Sequence, residues 1–388
     1  MIREPKQLYV DPTSSTPEQL KLIKGGKKYF DLLKELLAKA EKSIYLQTYI
    51  FEDDETGNAV AEELKAAARR NVAVSLLVDG YASSGLSKEF IANLKEAGVK
   101  FKMFDPLLKS KYFYLGRRLH QKVVTVDSKF SLVGGINVSN RYNDFQGERA
   151  WLDWAIFAEG EISETLTKIC EDRMERMSIK RFVRRKRAFA KNKVGSTKVN
   201  VNDWVRGKRE ITRSYIDMFT RAEKSIIILS AYFLPNDLFK RKLRAAARRG
   251  VKVQVILAGT SDIKIAKYAE RYMYQWLLKN GIEIFEYGRS VLHGKMATCD
   301  GQWVTVGSYN INTISSNASI ELNLAVSDRA FAKQAEHQLN EIMHNDCVKI
   351  TIANLKTYGW MVRIAHRAAY YTYRVLFFIF TFYFKQRE

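Results

Sequence analysis

Short apolar runs of strand length recur along the chain and alternate with longer segments in which apolar and charged residues are interleaved. The runs occupy residues 45–51, 72–78, 99–104, 227–234, 251–257 and 282–285. The intervening segments include two alanine-rich stretches, 64–71 and 243–250, which have the spacing of amphipathic helices. Strand, helix and strand in this order is the pattern of a parallel βαβ unit. The sequence therefore predicts an α/β fold.

This pattern occurs twice, and its two copies have related sequences. AEKSI occurs at residues 40–44 and again at 222–226, and LKAAARRNV at 64–72 corresponds to LRAAARRGV at 243–251. Repetition on this scale indicates duplicated domains. We predict two domains, each a mixed, mostly parallel sheet flanked by helices. They should be related by a pseudo-twofold axis and share one active site.

The repeat sets the expected domain boundaries. The predicted parts are an N-terminal extension at 1–26, a first domain at 27–178, a basic linker at 179–204, a second domain at 205–345 and a C-terminal segment at 346–388. The linker includes RFVRRKR at residues 181–187. Such a run is either a solvated connector or a docking surface for phosphate headgroups, and the sequence leaves both open.

Each predicted domain carries one copy of the motif H-x-K-x4-D-x6-G-[GS]-x-N. The first copy comprises His120, Lys122, Asp127, Gly134, Gly135 and Asn137, and the second comprises His293, Lys295, Asp300, Gly307, Ser308 and Asn310. The chain has five histidines, and two of them occupy these equivalent positions. Chance does not explain two such copies at corresponding places of a duplicated chain, so the motif marks the candidate active site.

The spacing within the motif has a physical meaning. Side chains alternate between the two faces of a strand, so a histidine and a lysine two residues apart can contact the same phosphate. The small residues let the backbone approach closely, and the asparagine adds an amide donor. If the two halves pair about an axis, two histidines, two lysines and two asparagines converge on one phosphorus.

Such a set of groups suits displacement at a phosphodiester in two steps. One histidine attacks phosphorus and forms a covalent phosphohistidine, while the other protonates the leaving oxygen. The lysines and asparagines offset negative charge on the non-bridging oxygens. We expect neither a metal ion nor another cofactor.

Four carboxylates near the motifs have predicted supporting roles. Asp127 and Asp300 are expected to anchor the turn after each motif strand rather than to contact substrate. Asp153 in WLDWAIF and Glu321 in IELNLAV belong to the following strand, where a carboxylate can orient a histidine and fix its tautomer. The alternative for these two residues is a charge on an edge strand that faces water.

The net charge of the chain indicates which kind of partner it binds. Lysine and arginine number 64 against 42 aspartate and glutamate, which gives a net charge of +22. Such an excess favours a polyanionic partner, either nucleic acid or a surface of anionic lipid. The three cysteines are widely spaced and odd in number, which favours a reducing compartment.

The two motifs resemble those of the phospholipase D superfamily from about residue 27 to 345, and finer features resemble the bacterial cardiolipin synthases. These features are Tyr49-Ile50-Phe51 with Asp54 and Gly57, Val78-Asp79-Gly80-Tyr81, Tyr232-Phe233-Leu234-Pro235, and the Gly-Gly-Ile-Asn end of the first motif. The chain departs from the usual family pattern at Leu119, Gln121 and Asn312, which puts its acceptor preference in doubt.

The resemblance implies a phosphatidyltransferase that joins two phosphatidylglycerol molecules into cardiolipin and releases glycerol. It further implies that His120 is the nucleophile and His293 the acid and base. Alternatives within the superfamily are a phospholipase D-type hydrolase and a metal-independent endonuclease, in which the positive charge would neutralise a DNA backbone. The oligomeric state is left open.

The C-terminal sequence favours lipid over nucleic acid as the partner. Residues 375–384 read VLFFIFTFYF, and such a helix spans about 15 Å, roughly half a bilayer core. Aromatic and basic residues flank it, as in interfacial segments. The predicted membrane contacts are Val375, Leu376, Phe377, Phe378, Ile379, Phe380, Phe382, Tyr383 and Phe384.

A second candidate for lipid contact is the segment 107–118, LLKSKYFYLGRR, before the first motif. For this segment and for the tail, packing against the protein is the alternative. The resemblance is to the shorter cardiolipin synthases that lack an N-terminal pair of transmembrane helices. We expect a peripheral enzyme on the cytoplasmic side of a bacterial cytoplasmic membrane, with anionic phospholipid and not nucleic acid as its partner.

Overall fold

The computed structural model of the protein describes residues 19–106, 117–145, 147–175 and 193–385, with side chains up to residue 376. Two predicted features lie outside the described residues: residues 107–116 of the predicted lipid-contact segment 107–118, and the arginine-rich run at 181–187. Within the described ranges the chain forms two mixed β-sheets with helices on both faces, which confirms the predicted α/β class.

The first half of the chain builds a sheet of seven described strands in the order β1-β7-β6-β5-β2-β3-β4. Its elements are β1 (Gln19–Lys24), α1 (Lys27–Ala38), β2 (Ser43–Thr48), α2 (Glu55–Arg69), β3 (Ala73–Asp79), α3 (Lys88–Glu96), β4 (Lys100–Phe104), β5 (Lys122–Val126), β6 (Phe130–Gly134), β7 (Trp154–Glu159) and α4 (Glu161–Glu175). A 3-10 turn at Asn140–Tyr142 lies between β6 and β7.

The second half builds a sheet of ten described strands, in which the order β9-β16-β15-β14-β11-β12-β13 repeats that of the first sheet. Its strands are β8 (Lys193–Val194), β9 (Thr197–Asp203), β10 (Lys208–Arg209), β11 (Ser225–Ser230), β12 (Lys252–Ala258), β13 (Glu283–Tyr287), β14 (Lys295–Cys299), β15 (Trp303–Gly307), β16 (Glu321–Val326) and β17 (Cys347–Ile350). The duplication predicted from the sequence is therefore present in the fold.

The helices of the second half follow the same plan, with additions at the C-terminus. They are α5 (Glu210–Arg221), α6 (Asp237–Arg248), α7 (Lys264–Lys279), α8 (Thr313–Asn317), α9 (Arg329–Asn345), α10 (Ile352–Lys356) and α11 (Trp360–Lys385), with a 3-10 turn at Trp204–Arg206. No helix within the described residues is long and apolar enough to cross a membrane.

The predicted βαβ units are present, but the prediction of mostly parallel sheets is wrong. β2, β3 and β4 pair in parallel, as do β11, β12 and β13. The other described strand pairs are antiparallel, including those of both motif strands, β5 and β14. The reason is that each motif strand turns directly into its neighbour through a tight turn, which only an antiparallel pair permits.

Two sequence regions assigned outside the domains form strands within the sheets. β1 lies in the predicted N-terminal extension and pairs antiparallel with β7. β9 lies in the predicted linker and pairs antiparallel with β16 in the same relative position. Each sheet therefore begins with a strand that precedes the domain boundary expected from the repeat.

One apolar core joins the two sheets. It combines the inner faces of both sheets with α4 and α9, and its buried members include Ile156, Leu166, Leu324 and Leu339. Separate clusters cover the outer faces, with α1 to α3 on the first sheet and α5 to α7 on the second. Because the halves share this core, the ends of β5 and β14 are held at a fixed separation from each other.

Candidate active site

The two motif histidines lie immediately before the central strands β5 and β14, where the two halves meet. The His120 N–H donates to the Ile320 carbonyl at 3.0 Å, and the His293 N–H donates to the Leu152 carbonyl at 2.9 Å. Isolated bridges pair Leu119 with Ile320 and Leu152 with Leu292. Each histidine is thus fixed by a backbone hydrogen bond to the residue that directly precedes a carboxylate of the opposite half, Glu321 or Asp153.

Each histidine ring contacts a carboxylate of the opposite half. His120 Nδ1 lies 2.8 Å from Glu321 Oε2, and His293 Nδ1 lies 2.7 Å from Asp153 Oδ2. Both carboxylates are fully buried. A carboxylate at Nδ1 holds the ring proton there and leaves Nε2 as the free nitrogen. The arrangement is reciprocal, so neither half contains a complete histidine–carboxylate pair of its own.

The two motif lysines are buried beside the histidines. Lys122 Nζ donates to the His120 carbonyl at 2.6 Å and lies 5.1 Å from the centre of the Tyr49 ring. Lys295 Nζ donates to the His293 carbonyl and lies 3.0 Å from His293 Nδ1. Both ammonium groups therefore lie beside the imidazoles at the start of β5 and β14, as the two-residue spacing of histidine and lysine predicts.

Burial perturbs the titration of these groups. Desolvation, with the nearby charge of Lys295, lowers the pKa of Lys122 to about 7. Desolvation also lowers the pKa of Lys295 to about 8. Burial lowers the pKa of both His120 and His293, and for His293 the charges of the two lysines add to the effect. The cations of the two motifs therefore repel one another, as groups that share one anion-binding site do.

The buried acid of the second pair is also perturbed. Desolvation raises the pKa of Asp153 to about 6, although Lys295 acts in the opposite direction. Asp153 Oδ1 accepts from the Trp154 N–H at 2.7 Å, so both of its oxygens have a partner. Glu321 differs, because its Oε2 accepts from the Ser308 hydroxyl as well as from His120.

The motif glycines allow neighbouring residues, among them Asp153, to pack closely against the backbone. A Cβ added to Gly135 would lie 2.4 Å from Asp153 Oδ2, so a side chain there would displace the acid. A Cβ on Gly134 would lie 2.2 Å from the Trp154 carbonyl, and one on Gly307 would lie 2.3 Å from Asn323 Oδ1. Glycine is required at these positions by close packing.

The two motif asparagines are not equivalent in the structure. Asn137 Nδ2 donates to the Tyr142 hydroxyl at 2.8 Å, and its Oδ1 accepts from the Ile50 N–H at 3.0 Å. Asn310 Oδ1 is buried and, among the residues described, has no hydrogen-bond partner. Asn137 therefore ties together the loops of the first half. The role of both amides as phosphate donors stays a prediction.

The motif aspartates accept hydrogen bonds from the backbone of the two AEKSI segments, 40–44 and 222–226. Asp127 accepts from the backbone N–H groups of residues 41, 42 and 43 at 2.7–2.9 Å, and Asp300 accepts from those of residues 223, 224 and 225 at 2.8–3.0 Å. Both residues adopt a left-handed backbone, with φ of 55° and 54°. These carboxylates fix the start of β2 and β11, next to the motif strands.

Several residues at the site were not assigned a role from the motif itself. The Tyr49 ring packs on the edge of His120, and the Tyr142 ring packs on His293, with centroid distances of 4.9 and 5.0 Å. Asp79 Oδ2 accepts from the Leu119 N–H at 2.8 Å, and Arg118 lies 3.5 Å from Asp79 Oδ1. Tyr49 and Asp79 belong to the sequence blocks that resemble the cardiolipin synthases, and this resemblance is the feature of the sequence that indicates a place for them at the site.

The predicted membrane contacts lie on the helix α11. Val375 and Leu376 are 57% and 44% exposed. For Phe377, Phe378, Ile379, Phe380, Phe382, Tyr383 and Phe384 the structure gives the helical backbone, and their side chains lie outside the described residues.

Known proteins resemble this chain over most of its length. The family model described as "Cardiolipin synthase, PLD-like domain" matches residues 33–173 and 215–343. Cardiolipin synthase B of Escherichia coli (strain K12) is 34% identical over 351 residues, which cover 88% of this chain and 84% of that protein. A cardiolipin synthase of Clostridium perfringens (strain SM101 / Type A) is 28% identical over 366 residues, covering 87% and 74% of the two chains.

Among solved structures, a phosphatidylserine synthase of Haemophilus influenzae Rd KW20 has the same fold, with a TM-score of 0.73 at 15% identity and coverage of 94% and 95% of the two chains. The duplicated fold, the two crossed histidine–carboxylate pairs and the extent of the sequence match lead to one assignment. The chain belongs to the cardiolipin synthase family of phospholipase D-like phosphatidyltransferases.

Proposed function

We propose that this protein joins two phosphatidylglycerol molecules into cardiolipin and releases glycerol, through a phosphatidyl-histidine intermediate. The observation that carries the proposal is the crossed arrangement of the two histidine–carboxylate pairs. It supports one site with two imidazoles, each with a free Nε2, and an ammonium group beside each imidazole. One site of this kind can attack phosphorus from one side and protonate the leaving oxygen on the other.

In the first step, His120 Nε2 attacks the phosphorus of one phosphatidylglycerol. The bond from phosphorus to the glycerol headgroup oxygen breaks, and the protonated His293 gives its Nε2 proton to that oxygen. Glycerol leaves, and the phosphatidyl group stays on His120. The assignment of His120 as nucleophile follows the family resemblance. The larger exposure of its side chain, 16% against 8% for His293, is consistent with it.

In the second step, the neutral His293 accepts the proton of a headgroup hydroxyl on the second phosphatidylglycerol. That oxygen attacks phosphorus, the phosphorus–nitrogen bond breaks, and cardiolipin is released with His120 restored. Asp153 keeps the Nδ1 proton of His293 in place throughout, and it stabilises the imidazolium that forms.

Burial lowers the pKa of His293 in the free protein, and the charges of Lys295 and Lys122 lower it further. The substrate acts on the second of these two causes. A phosphodiester placed between Lys122 and Lys295 offsets their positive charge. Binding of the anionic substrate therefore raises the pKa of His293, and the acid becomes available when the substrate is present. The same charges stabilise the transition state at phosphorus.

The test is a product assay with defined lipids. The purified protein is given phosphatidylglycerol in mixed micelles, and both products are quantified by mass spectrometry. We expect cardiolipin and glycerol in equal amounts. Phosphatidic acid and glycerol without cardiolipin would show a hydrolase instead, and cleavage of DNA with no lipid turnover would show a nuclease. The His120→Asn and His293→Asn variants serve as the inactive controls.

The site of action follows from the substrate. We infer that the protein is peripheral, acts at the cytoplasmic side of a bacterial cytoplasmic membrane, and binds anionic phospholipid through its C-terminal segment. The net charge of +22 and the aromatic residues of 375–384 support this assignment.

A further inference from the structure

Within the residues that the structure describes, one face of the C-terminal helix α11 packs closely on the rest of the protein. Four side chains of this face pack on α7 or its neighbours: His366, Ala369, Tyr370 and Tyr373. His366 and Ala369 are buried, and the Tyr370 ring lies 4.8 Å from that of Tyr272. These positions are spaced by three, one and three residues, which is the spacing of a single helical stripe.

A second apolar stripe follows the opposite side of α11 and faces solvent. It consists of Met361, Ile364, Ala368 and Val375. Tyr371 lies at its border and is 48% exposed, and its ring also contacts that of Tyr272 on α7, with a centroid distance of 6.2 Å. Met361 is 67% exposed, and Ile364 and Val375 are each 57% exposed. With about 3.6 residues in each turn, this stripe is centred roughly half a turn away from the stripe on α7. The helix therefore has an apolar face that packs on α7 and an opposite apolar stripe that, apart from the contact of Tyr371, is exposed in the described part of the chain.

Basic residues line one border of the outward stripe. Arg363, Arg367 and Arg374 are exposed, and the residues 360–385 contain no aspartate or glutamate. The Arg367 guanidinium lies 5.9 Å from the centre of the Tyr371 ring. Arginines beside an exposed apolar and aromatic stripe are the arrangement of a helix that lies in the headgroup region of an anionic membrane.

The position of α11 relative to the active site fits this use. Ala369 shares a small core with Leu234, which is two residues from Tyr232 in the loop that follows β11. α11 also contacts α8, which begins three residues after Asn310 of the second motif. The helix therefore lies beside two segments that lead directly into the active site.

We propose that the outward stripe of α11 is a docking surface for anionic phospholipid, which holds the helix along the membrane plane with its opposite face on α7. The proposal rests on the proposed function insofar as the substrate of that reaction resides in the membrane. A second copy of the chain is the less suitable occupant. An antiparallel twofold contact through this stripe would bring two rows of arginine together without any acidic residue of α11 to offset them.

The test uses the full chain and a matched pair of double variants. Ile364→Glu with Val375→Glu places two carboxylates on the stripe. Val348→Glu with Ile352→Glu makes the same change at two exposed apolar residues elsewhere, which are 64% and 52% exposed. Each protein is floated with vesicles of equal parts phosphatidylglycerol and phosphatidylcholine.

Removing two aliphatic side chains from the interface should raise the lipid concentration needed for half-maximal binding about tenfold or more, and the control pair should bind like the wild type. Equal binding by the stripe variant and the wild type would overturn the proposal. The proposal would also be overturned if the wild type were a dimer in sedimentation and the stripe variant were a monomer that still binds vesicles like the wild type.

Activity separates this proposal from the proposed function. On a short-chain phosphatidylglycerol below its micelle concentration, the stripe variant should form cardiolipin at the wild-type rate, whereas on vesicles it should lose the same factor as in binding. A wild-type protein that forms no cardiolipin from either substrate would refute the proposed reaction and leave the docking surface untouched.

A second variant, Arg367→Gln with Arg374→Gln, leaves the apolar side chains in place and removes two positive charges. It should weaken binding to anionic vesicles several-fold, and unchanged binding would contradict the lipid assignment.

Discussion

The Asp153→Asn variant exchanges one carboxylate oxygen for an NH2 group and leaves the size of the side chain almost unchanged. In the wild type, Asp153 Oδ1 accepts from the Trp154 N–H and Oδ2 accepts from His293 Nδ1, each at 2.7 Å. The amide oxygen must stay with the Trp154 N–H, because the reverse orientation would place two donors against each other. The NH2 group then faces His293 Nδ1 and donates to it.

This change reverses the tautomer of His293. Nδ1 becomes the acceptor, the ring proton moves to Nε2, and Nε2 loses the lone pair that should take the proton of the acceptor hydroxyl. Replacing an aspartate that fixes a catalytic histidine in this way costs about 10⁴-fold in turnover. The measurement is the initial rate of cardiolipin formation from saturating phosphatidylglycerol, with thermal unfolding of the same sample to show that the variant is folded.

Glu321→Gln is the matched control, because the other pair is built differently. The Leu322 N–H donates to Ser308 Oγ at 3.2 Å, so the Ser308 hydroxyl is directed at Glu321 Oε2. Glutamine can place its oxygen there and still accept from His120 Nδ1, which keeps the tautomer. Only the negative charge is lost, which corresponds to about one or two pKa units and roughly 10–100-fold in rate. Equal losses in the two variants, or a loss below about tenfold for Asp153→Asn, would refute this reasoning.

Three further predictions follow from the contacts. Asp300→Ala removes the acceptor of three backbone N–H groups and should lower the free energy of unfolding by about 2–4 kcal/mol in denaturant titration, whereas Asp300→Asn, which keeps one oxygen, should cost less. Gly135→Ala places a Cβ against the Asp153 carboxylate and should abolish most turnover, while Gly288→Ala, where a Cβ meets nothing within 4 Å, should be neutral; equal activity of the two would contradict the packing argument. The pH dependence of kcat/KM should rise through about 6, as Asp153 loses its proton, and fall above about 7, as Lys122 loses its charge; a plateau extending beyond pH 9 would contradict these pKa values.

The motif strands could be predicted from the sequence because their chemistry and their periodicity coincide. KVVTVD and KMATCD each form a buried strand, β5 and β14, directly after the motif histidine. β1 and β9 could not be found in the same way. Their sequences, QLKLIK and TKVNVND, alternate as strands do, but they differ from each other, so the repeat does not mark them. Their place in the sheets depends on pairing with β7 and β16, which local sequence does not encode.

The crossing of the histidine–carboxylate pairs depends on how the two sheets dock. The sequence indicates that Asp153 and Glu321 lie near a histidine, but each is closer in sequence to the histidine of its own half. The structure pairs each with the other one, because α4 and α9 place the inner faces of the sheets together. Tertiary packing therefore decides the partner, and one sequence alone does not contain that information.

Asn137 and Asn310 also differ in the side chain that stands five residues after each of them. Five residues after Asn137 stands Tyr142, whose hydroxyl reaches the amide of Asn137. Five residues after Asn310 stands Ser315, whose hydroxyl accepts from the backbone N–H of Asn310 at 3.3 Å. The motif pattern treats these asparagines as equal, and the length of the neighbouring side chain accounts for the different partners on this side of the two residues.

A covalent intermediate on His120, formed in a site that His293 completes from the other half, can be measured directly. The His293→Asn variant is given a phosphatidyl ester of p-nitrophenol, whose leaving group needs no acid, so the first step can proceed while the second cannot. We expect a burst of one equivalent of nitrophenolate and a phosphatidyl adduct located at His120 by peptide mass spectrometry. The His120→Asn variant should give neither. An adduct on His293 in that second variant, or steady turnover with no adduct in the first, would contradict the mechanism.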